Sequence, residues 1–258
     1  MNRFIAGIAI AATALFDTPS VAQPARPTIV LVHGAFADAS SWNGVIEILE
    51  KDGYSIFAPA NPLRGLRNDA DYISSLVSTI EAPVVLVGHS YGDSVISGAA
   101  NGHANVKALV YVAAFAPEAE ETAAGLSGKF PGSTLGPALA PPVALRSGGA
   151  DLYVRRDKFH AQFAADVPAA QARLMAAEQR PIAEAALGEA SGEPAWRTTP
   201  SWFVYGDADR NIPPQTLAFM AERARSRETV VVKGASHVVM VSNPARVAAL
   251  IERAATAR

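Results

Sequence analysis

A succession of short, fully apolar runs does most to limit what this chain can fold into. The stretches "PTIVLVHG" (27–34), "PVVLVG" (83–88), "VKALVYVAAF" (106–115), "SWFVYGD" (201–207) and "TVVV" (229–232) are rich in β-branched residues. They lack the polar alternation of a strand with one wet face, so they suit strands buried on both sides. "YSIFAP" (54–59) reads as one more strand. Between these runs apolar residues recur at helical spacing. Trp42, Val45, Ile46 and Leu49 precede Gly53, and Ile73, Leu76, Val77 and Ile80 follow Asn68 or Asp69 as the expected cap. Leu217, Met220, Ala221 and Ala224 follow Pro213 and Pro214, and Val247, Leu250 and Ile251 follow Pro244. This alternation predicts an α/β fold: a mostly parallel sheet with helices over both faces.

The alternation stops between about 117 and 195. That segment holds "FPGSTLGPALAPP" (130–142), a loop by composition, and then Ala-rich stretches with helix starts expected at Asp166-Val167-Pro168 and Arg180-Pro181. It is expected to be a helical cap inserted before the penultimate strand of a single domain, 23–258. Half of the 258 residues are hydrophobic, enough to bury one large core.

The first residues follow a different logic. Arg3 precedes an apolar run from Phe4 to Phe16, too short to span a bilayer comfortably, and Ser20 and Ala22 stand at −3 and −1 of a cut. Residues 1–22 are therefore expected to be a signal peptide, the mature protein periplasmic or secreted, with no stable membrane insertion after cleavage. A net charge of −2 gives no basic surplus for nucleic acid, and the absence of cysteine excludes disulfides, thiolate zinc sites and a cysteine nucleophile.

The chemistry is concentrated in "GHSYG" (88–92), at the end of a strand and the start of the small-residue segment "SVISGAA". Glycines on either side permit a sharp strand-to-helix turn that presents Ser90 as a nucleophile above a helix N-terminus. A serine needs a base and an orienting carboxylate. His237 lies in a small-residue loop just past the last strand, whereas His103 and His160 have no such setting. Asp207 and Asp209 both follow the strand 201–205, in the order Ser, Asp, His. Oxyanion donors are expected from the Tyr91 N–H and from the loop "HGAF" (33–36), with Ala35 chosen and Phe36 the alternative. His33 is expected to brace that loop. Phe36 and Phe115 are candidate substrate contacts, and no cofactor or metal is needed.

Three motifs carry a resemblance: "VLVHGAF" (30–36), "LVGHSYG" (86–92) and "YGDADRNIP" (205–213) with "SHVVMVSNP" (236–244). The chain resembles the α/β-hydrolase superfamily, and within it the compact serine esterase branch of plant methyl esterases and hydroxynitrile lyases. The resemblance implies about six mostly parallel strands with a helical cap between Phe115 and Ser201. It favours Asp209 over Asp207, because the triad acid stands three residues after the glycine, here Gly206. A serine nucleophile separates the chain from the dehalogenases and epoxide hydrolases of this fold, which use a carboxylate. Gly34 and Val238 stand where the plant lyases carry threonine and lysine. The implied partner is a small-molecule ester, small to medium in size and apolar or aromatic, cleaved through an acyl-enzyme. The alternatives are a non-catalytic ligand-binding protein on the same fold, and a cofactor-free perhydrolase or lyase using the same triad. Phe130, Leu152, Phe159, Phe163 and Trp196 are either pocket walls or cap core. Asp93 stands where related sequences have glycine. It is expected either to face solvent or an arginine near the helix N-terminus, or to oppose charge in the oxyanion hole and slow the reaction.

Overall fold

The computed structural model describes residues 26–257; the expected signal segment and its cut after Ala22 lie outside them. In chain order the strands are β1 (Thr28–Val32), β2 (Ile56–Phe57), β3 (Val84–His89), β4 (Val106–Val112), β5 (Val143–Ala144), β6 (Ala150–Leu152), β7 (Ile182–Ala183), β8 (Ser201–Gly206) and β9 (Glu228–Val232). Six of them form one all-parallel sheet in the order β2-β1-β3-β4-β8-β9. The apolar runs explain the interior strands. β1, β3 and β8 are buried at every position, and β4 at every position but Lys107. Each fully buried Val, Leu or Ile contributes roughly 1.5–3 kcal/mol.

The edges depart from expectation. In β9 Thr229 and Val231 face solvent, so "TVVV" is a half-wet edge rather than an interior strand. β2 shrinks to two paired residues, with Phe57 45% exposed.

The helices are α1 (Asn43–Lys51), α2 (Leu66–Val77), α3 (Tyr91–Ala99), α4 (Ala123–Ser127), α5 (Leu135–Ala138), α6 (Arg156–Phe163), α7 (Ala169–Glu178), α8 (Glu184–Gly188), α9 (Pro214–Arg223), α10 (Val239–Ser242) and α11 (Pro244–Thr256). α1 packs on α11, α2 packs on α3, and together helices cover both faces of the sheet. Neither Asn68 nor Asp69 caps α2. The helix starts after Gly65, and Glu189 from far along the chain accepts the Leu66 N–H (2.6 Å) and the Arg67 N–H (3.3 Å). That places a carboxylate at the positive end of the helix dipole. Among the described residues no helix is long and apolar enough to cross a membrane.

The insert between β4 and β8 contains α4 to α8, as a helical cap should, but also an antiparallel sheet, β5-β6-β7. α7 begins after Pro168 as expected; after Pro181 comes β7, and only then α8. Arg64 ties this sheet to the body, bonding Asp151 (2.6 Å) and the Pro181 carbonyl (3.0 Å). Ala183 N–H donates to the Leu63 carbonyl beside it (3.0 Å). One continuous cluster of buried apolar side chains runs from the sheet into the insert.

Candidate active site

The strand order reverses between β1 and β3: the chain goes outward from β1 to β2, then returns to the other side. A crevice at such a switch point, beyond the carboxyl ends of the strands, is where this architecture binds ligands. The loop 33–36 leaves β1 there, and Ser90 ends β3 there.

Ser90 has φ 55° and ψ −121°, a conformation that non-glycine residues rarely adopt. Holding it costs roughly 1–3 kcal/mol. The surrounding backbone fixes it: Ser90 N–H donates to the Val112 carbonyl (3.2 Å), and the Ser90 carbonyl accepts the Asp93 N–H (3.2 Å). The glycines serve close approach. A Cβ on Gly34 would lie 2.6 Å from the His89 carbonyl oxygen and 2.8 Å from Ser90 Cβ; one on Gly92 would lie 2.5 Å from the Val32 oxygen. The β1 loop and the turn can therefore touch only with glycine at both places.

His237 follows β9 in a loop and is 1% exposed. Its Nδ1 donates to Asp209 Oδ2 at 2.7 Å, and Asp209 Oδ1 accepts the N–H groups of Asn211 (2.8 Å) and Ile212 (3.0 Å). Those bonds hold the carboxylate still and fix the imidazole tautomer, leaving Nε2 as the basic nitrogen. Asp207 is exposed and turns to the Gly234 N–H instead. The imidazole lies between two rings, His89 at 4.7 Å and Phe163 at 5.1 Å between centroids. His89 Nε2–H also donates to the His237 carbonyl (3.1 Å). Burial drives the His89 pKa well below its usual range, so it packs against His237 as a neutral ring.

Ser90 and His237 line one cavity of about 240 Å³, together with Ala35, Phe36, Tyr91 and Phe115. No hydrogen bond joins Ser90 Oγ to the imidazole; such bonds often tighten only around substrate. In the loop 33–36 the Phe36 N–H, the alternative donor, is engaged by the Arg180 carbonyl of the cap (2.9 Å), and Ala35 and Tyr91 both line the cavity. His33 braces the loop as expected. Its Nε2 accepts the Asn61 N–H (3.0 Å), its Nδ1–H donates to Gly34 O (2.9 Å), and burial lowers its pKa to about 4.

Of the cap aromatics only Phe163 reaches the cavity among the described residues. Phe159 packs on Phe163, Phe130 packs on Phe219, and Trp196 donates to the Pro117 carbonyl. The remaining walls, including Leu135, Leu139, Leu187 and Asn211, were not among the sequence candidates. Asn211 had a signal: it is a polar residue inside the motif that carries Asp209.

Asp93 does not face solvent or an arginine. It is 0% exposed, tucked beneath the turn where its Oδ2 accepts the Val112 N–H (3.2 Å) and the Gly88 N–H also reaches it. Burial pushes its carboxyl well above the ordinary carboxylate range, the two backbone donors only partly opposing this. Burial thus favours the neutral form, which works against the expected opposition of a charged Asp93 to the oxyanion.

A parallel sheet carrying a serine on a strained strand-to-helix turn, followed in the chain by an aspartate and a histidine bonded to each other, defines a class of hydrolytic scaffold. Comparison with known proteins agrees. The model of the alpha/beta hydrolase family matches residues 29–250. The chain belongs to the alpha/beta hydrolase family. It is similar to the carbendazim hydrolyzing esterase of Nocardioides sp. (strain SG-4G), 35% identical over 102 residues that cover 34% of this chain and 42% of that protein. It is also similar to the alpha-hydroxynitrile lyase of Arabidopsis thaliana, 24% identical over 83% of this chain and 92% of that protein. The crystal structure of polyneuridine aldehyde esterase superposes with a TM-score of 0.76 at 17% identity, covering 88% of this chain and 98% of that one.

Proposed function

We propose that the protein is a serine hydrolase that cleaves small to medium apolar or aromatic carboxylic esters through an acyl-enzyme. The observation that carries this is the meeting of Ser90, on its strained turn, with the Asp209-bonded His237 at the wall of one cavity. Ser90 Oγ attacks the ester carbonyl as His237 Nε2 takes its proton. Asp209 holds Nδ1–H and stabilises the imidazolium. The Ala35 and Tyr91 N–H groups receive the oxyanion, and the cationic imidazole protonates the departing alcohol. Water activated by the same imidazole then releases the acid. The esterases among the similar proteins support ester hydrolysis as the reaction class. The amino-terminal pattern supports an exported enzyme.

A panel of activated esters, assayed with wild type and Ser90→Ala, tests the proposal. The variant should fold normally and lose on the order of a millionfold in turnover. Near-wild-type turnover would overturn it.

The similar lyase favours a second reading, carbon–carbon bond cleavage at the same triad. Two positions weigh against it. At Gly34 a side chain would collide with Ser90 Cβ, and Val238 is a buried apolar residue. A purely ligand-binding role had Asp93 in its favour, and that support weakens because the carboxyl is buried beneath the turn, bonded to the Val112 N–H.

A further inference from the structure

Asp209 and His237 stand on separate loops, one after β8 and one after β9. On the sheet side these loops are joined by bonds from the Ala208 N–H to the Ala235 carbonyl (3.1 Å) and from the Gly234 N–H to Asp207. On the other side the end of α6, residues 161–166 of the cap, grips both of them. Gln162 is 7% exposed. Its Nε2 donates to the Arg210 carbonyl (2.9 Å) and to Asn211 Oδ1 (2.7 Å), while its Oε1 accepts the Thr134 hydroxyl (2.8 Å). The Arg210 guanidinium returns the contact by donating to the Ala161 carbonyl (3.0 Å). Asn211 N–H is one of the donors that hold Asp209 Oδ1, so Gln162 fixes the residue that fixes the acid. At the same helix end the Phe163 ring packs on the His237 imidazole. Ser236, the residue before His237, is 2% exposed and donates its hydroxyl to Asp166, with the Phe163 carbonyl 3.4 Å away.

A second buried cap glutamine shows the contrast. Gln179 bonds the Val154 N–H, the Val154 carbonyl and the Ala176 carbonyl, all within the cap. Gln162 directs its donors to the acid loop instead. We infer that Gln162 and Asp166 are positioning residues for the Asp209–His237 pair: the cap clamps the acid loop and the base loop together, and turnover depends on that clamp. This rests on the hydrolase reading and deepens it. Neither residue lines the cavity, so their effect falls on the alignment of the base and not on substrate binding. A misplacement of about 1 Å in such a group costs on the order of a hundredfold in rate.

The test compares Gln162→Leu with Gln179→Leu, two buried cap glutamines that each lose comparable bonds. Gln162→Leu should lower kcat for an activated ester by about tenfold to a hundredfold, with KM within about threefold of wild type. Gln179→Leu, with a similar shift in its urea midpoint, should keep kcat within about threefold. Asp166→Ala should lower kcat by about threefold to tenfold, and Asp166→Asn, which still offers Ser236 an acceptor oxygen, should restore most of it. This pair decides the matter if Gln162→Leu does not fold. The second readout is the downfield Nδ1–H resonance of His237 in nitrogen-15 histidine-labelled protein, identified by its loss in His237→Ala. It should shift or broaden in Gln162→Leu and Asp166→Ala and stay in place in Gln179→Leu. Equal losses of kcat in the two leucine variants, or an unchanged kcat and resonance in Gln162→Leu and Asp166→Ala, overturn the inference while the esterase reading stands. A resonance that responds to Gln162 and Asp166 in a protein that hydrolyses no ester would sustain the clamp and remove the esterase reading.

Discussion

Replacing Asp93 with asparagine should make the protein relatively more stable as pH rises. The wild-type carboxyl is wholly buried, Oδ1 has no partner, and its bonded neighbours are the backbone N–H groups of Val112 and Gly88. Desolvation raises its native pKa well above the ordinary value, while the unfolded chain keeps a value of about 3.9. Between those two values the native state holds one proton more than the unfolded state. The contribution is fully present below about pH 3.9 and is lost as pH climbs toward the native pKa, at about 1.4 kcal/mol per pH unit. Asparagine offers the same oxygen to Val112 N–H and has nothing to titrate. Urea unfolding at pH 5 and 6 should therefore show the stability gap between variant and wild type moving in favour of asparagine, by up to about 1.4 kcal/mol. A gap independent of pH, or one that moves toward the wild type, would refute the assignment of a neutral buried acid. Asp93→Gly should not raise kcat, since burial favours the neutral carboxyl and so weakens any opposition to the oxyanion. It should cost roughly 2–4 kcal/mol at pH 5, from an unpaired Val112 N–H and a helical glycine. A fivefold rise in kcat would restore the electrostatic account.

Asp209→Asn should lower turnover by about 10⁴-fold, while Asp207→Asn stays within a fewfold of wild type in the same ester assay, because Asp209 alone of the two touches His237. Glu189→Ala should destabilise by about 1–2 kcal/mol in urea, through the uncapped start of α2, whereas Asn68→Ala at the exposed position should cost under about 0.5 kcal/mol. Intact-mass analysis of the protein exported from a bacterial host carrying the full gene should give Gln23 as the first residue; a cytoplasmic product that keeps Met1 would contradict export.

What was legible in the sequence was local. β1, β3, β4 and β8 each announce themselves by an apolar run, interrupted in β4 only by Lys107, and Ser90, Asp209 and His237 follow β3, β8 and β9 at their carboxyl ends. The less legible parts depend on residues far apart in the chain. The cap sheet is built from strands of two or three residues, too short to show a period, and depends on Arg64 and Leu63 of the body. The α2 cap is a glutamate more than a hundred residues away, so the nearby Asn68 and Asp69 misled. Asp93 reads as a surface acid in a first helical turn, but the sharp turn at Ser90 rolls that side of α3 onto the sheet. The orientation of Asn211 depends on Gln162 of α6, which no local pattern could supply.

The central claim, that Ser90 is a nucleophile activated by His237, is tested most directly by reaction with a serine-reactive phosphonate followed by peptide mapping. The account predicts one equivalent of adduct, carried by the peptide containing Ser90, absent in Ser90→Ala and formed far more slowly in His237→Ala. An unmodified protein after prolonged exposure, or an adduct on any other residue, would contradict it.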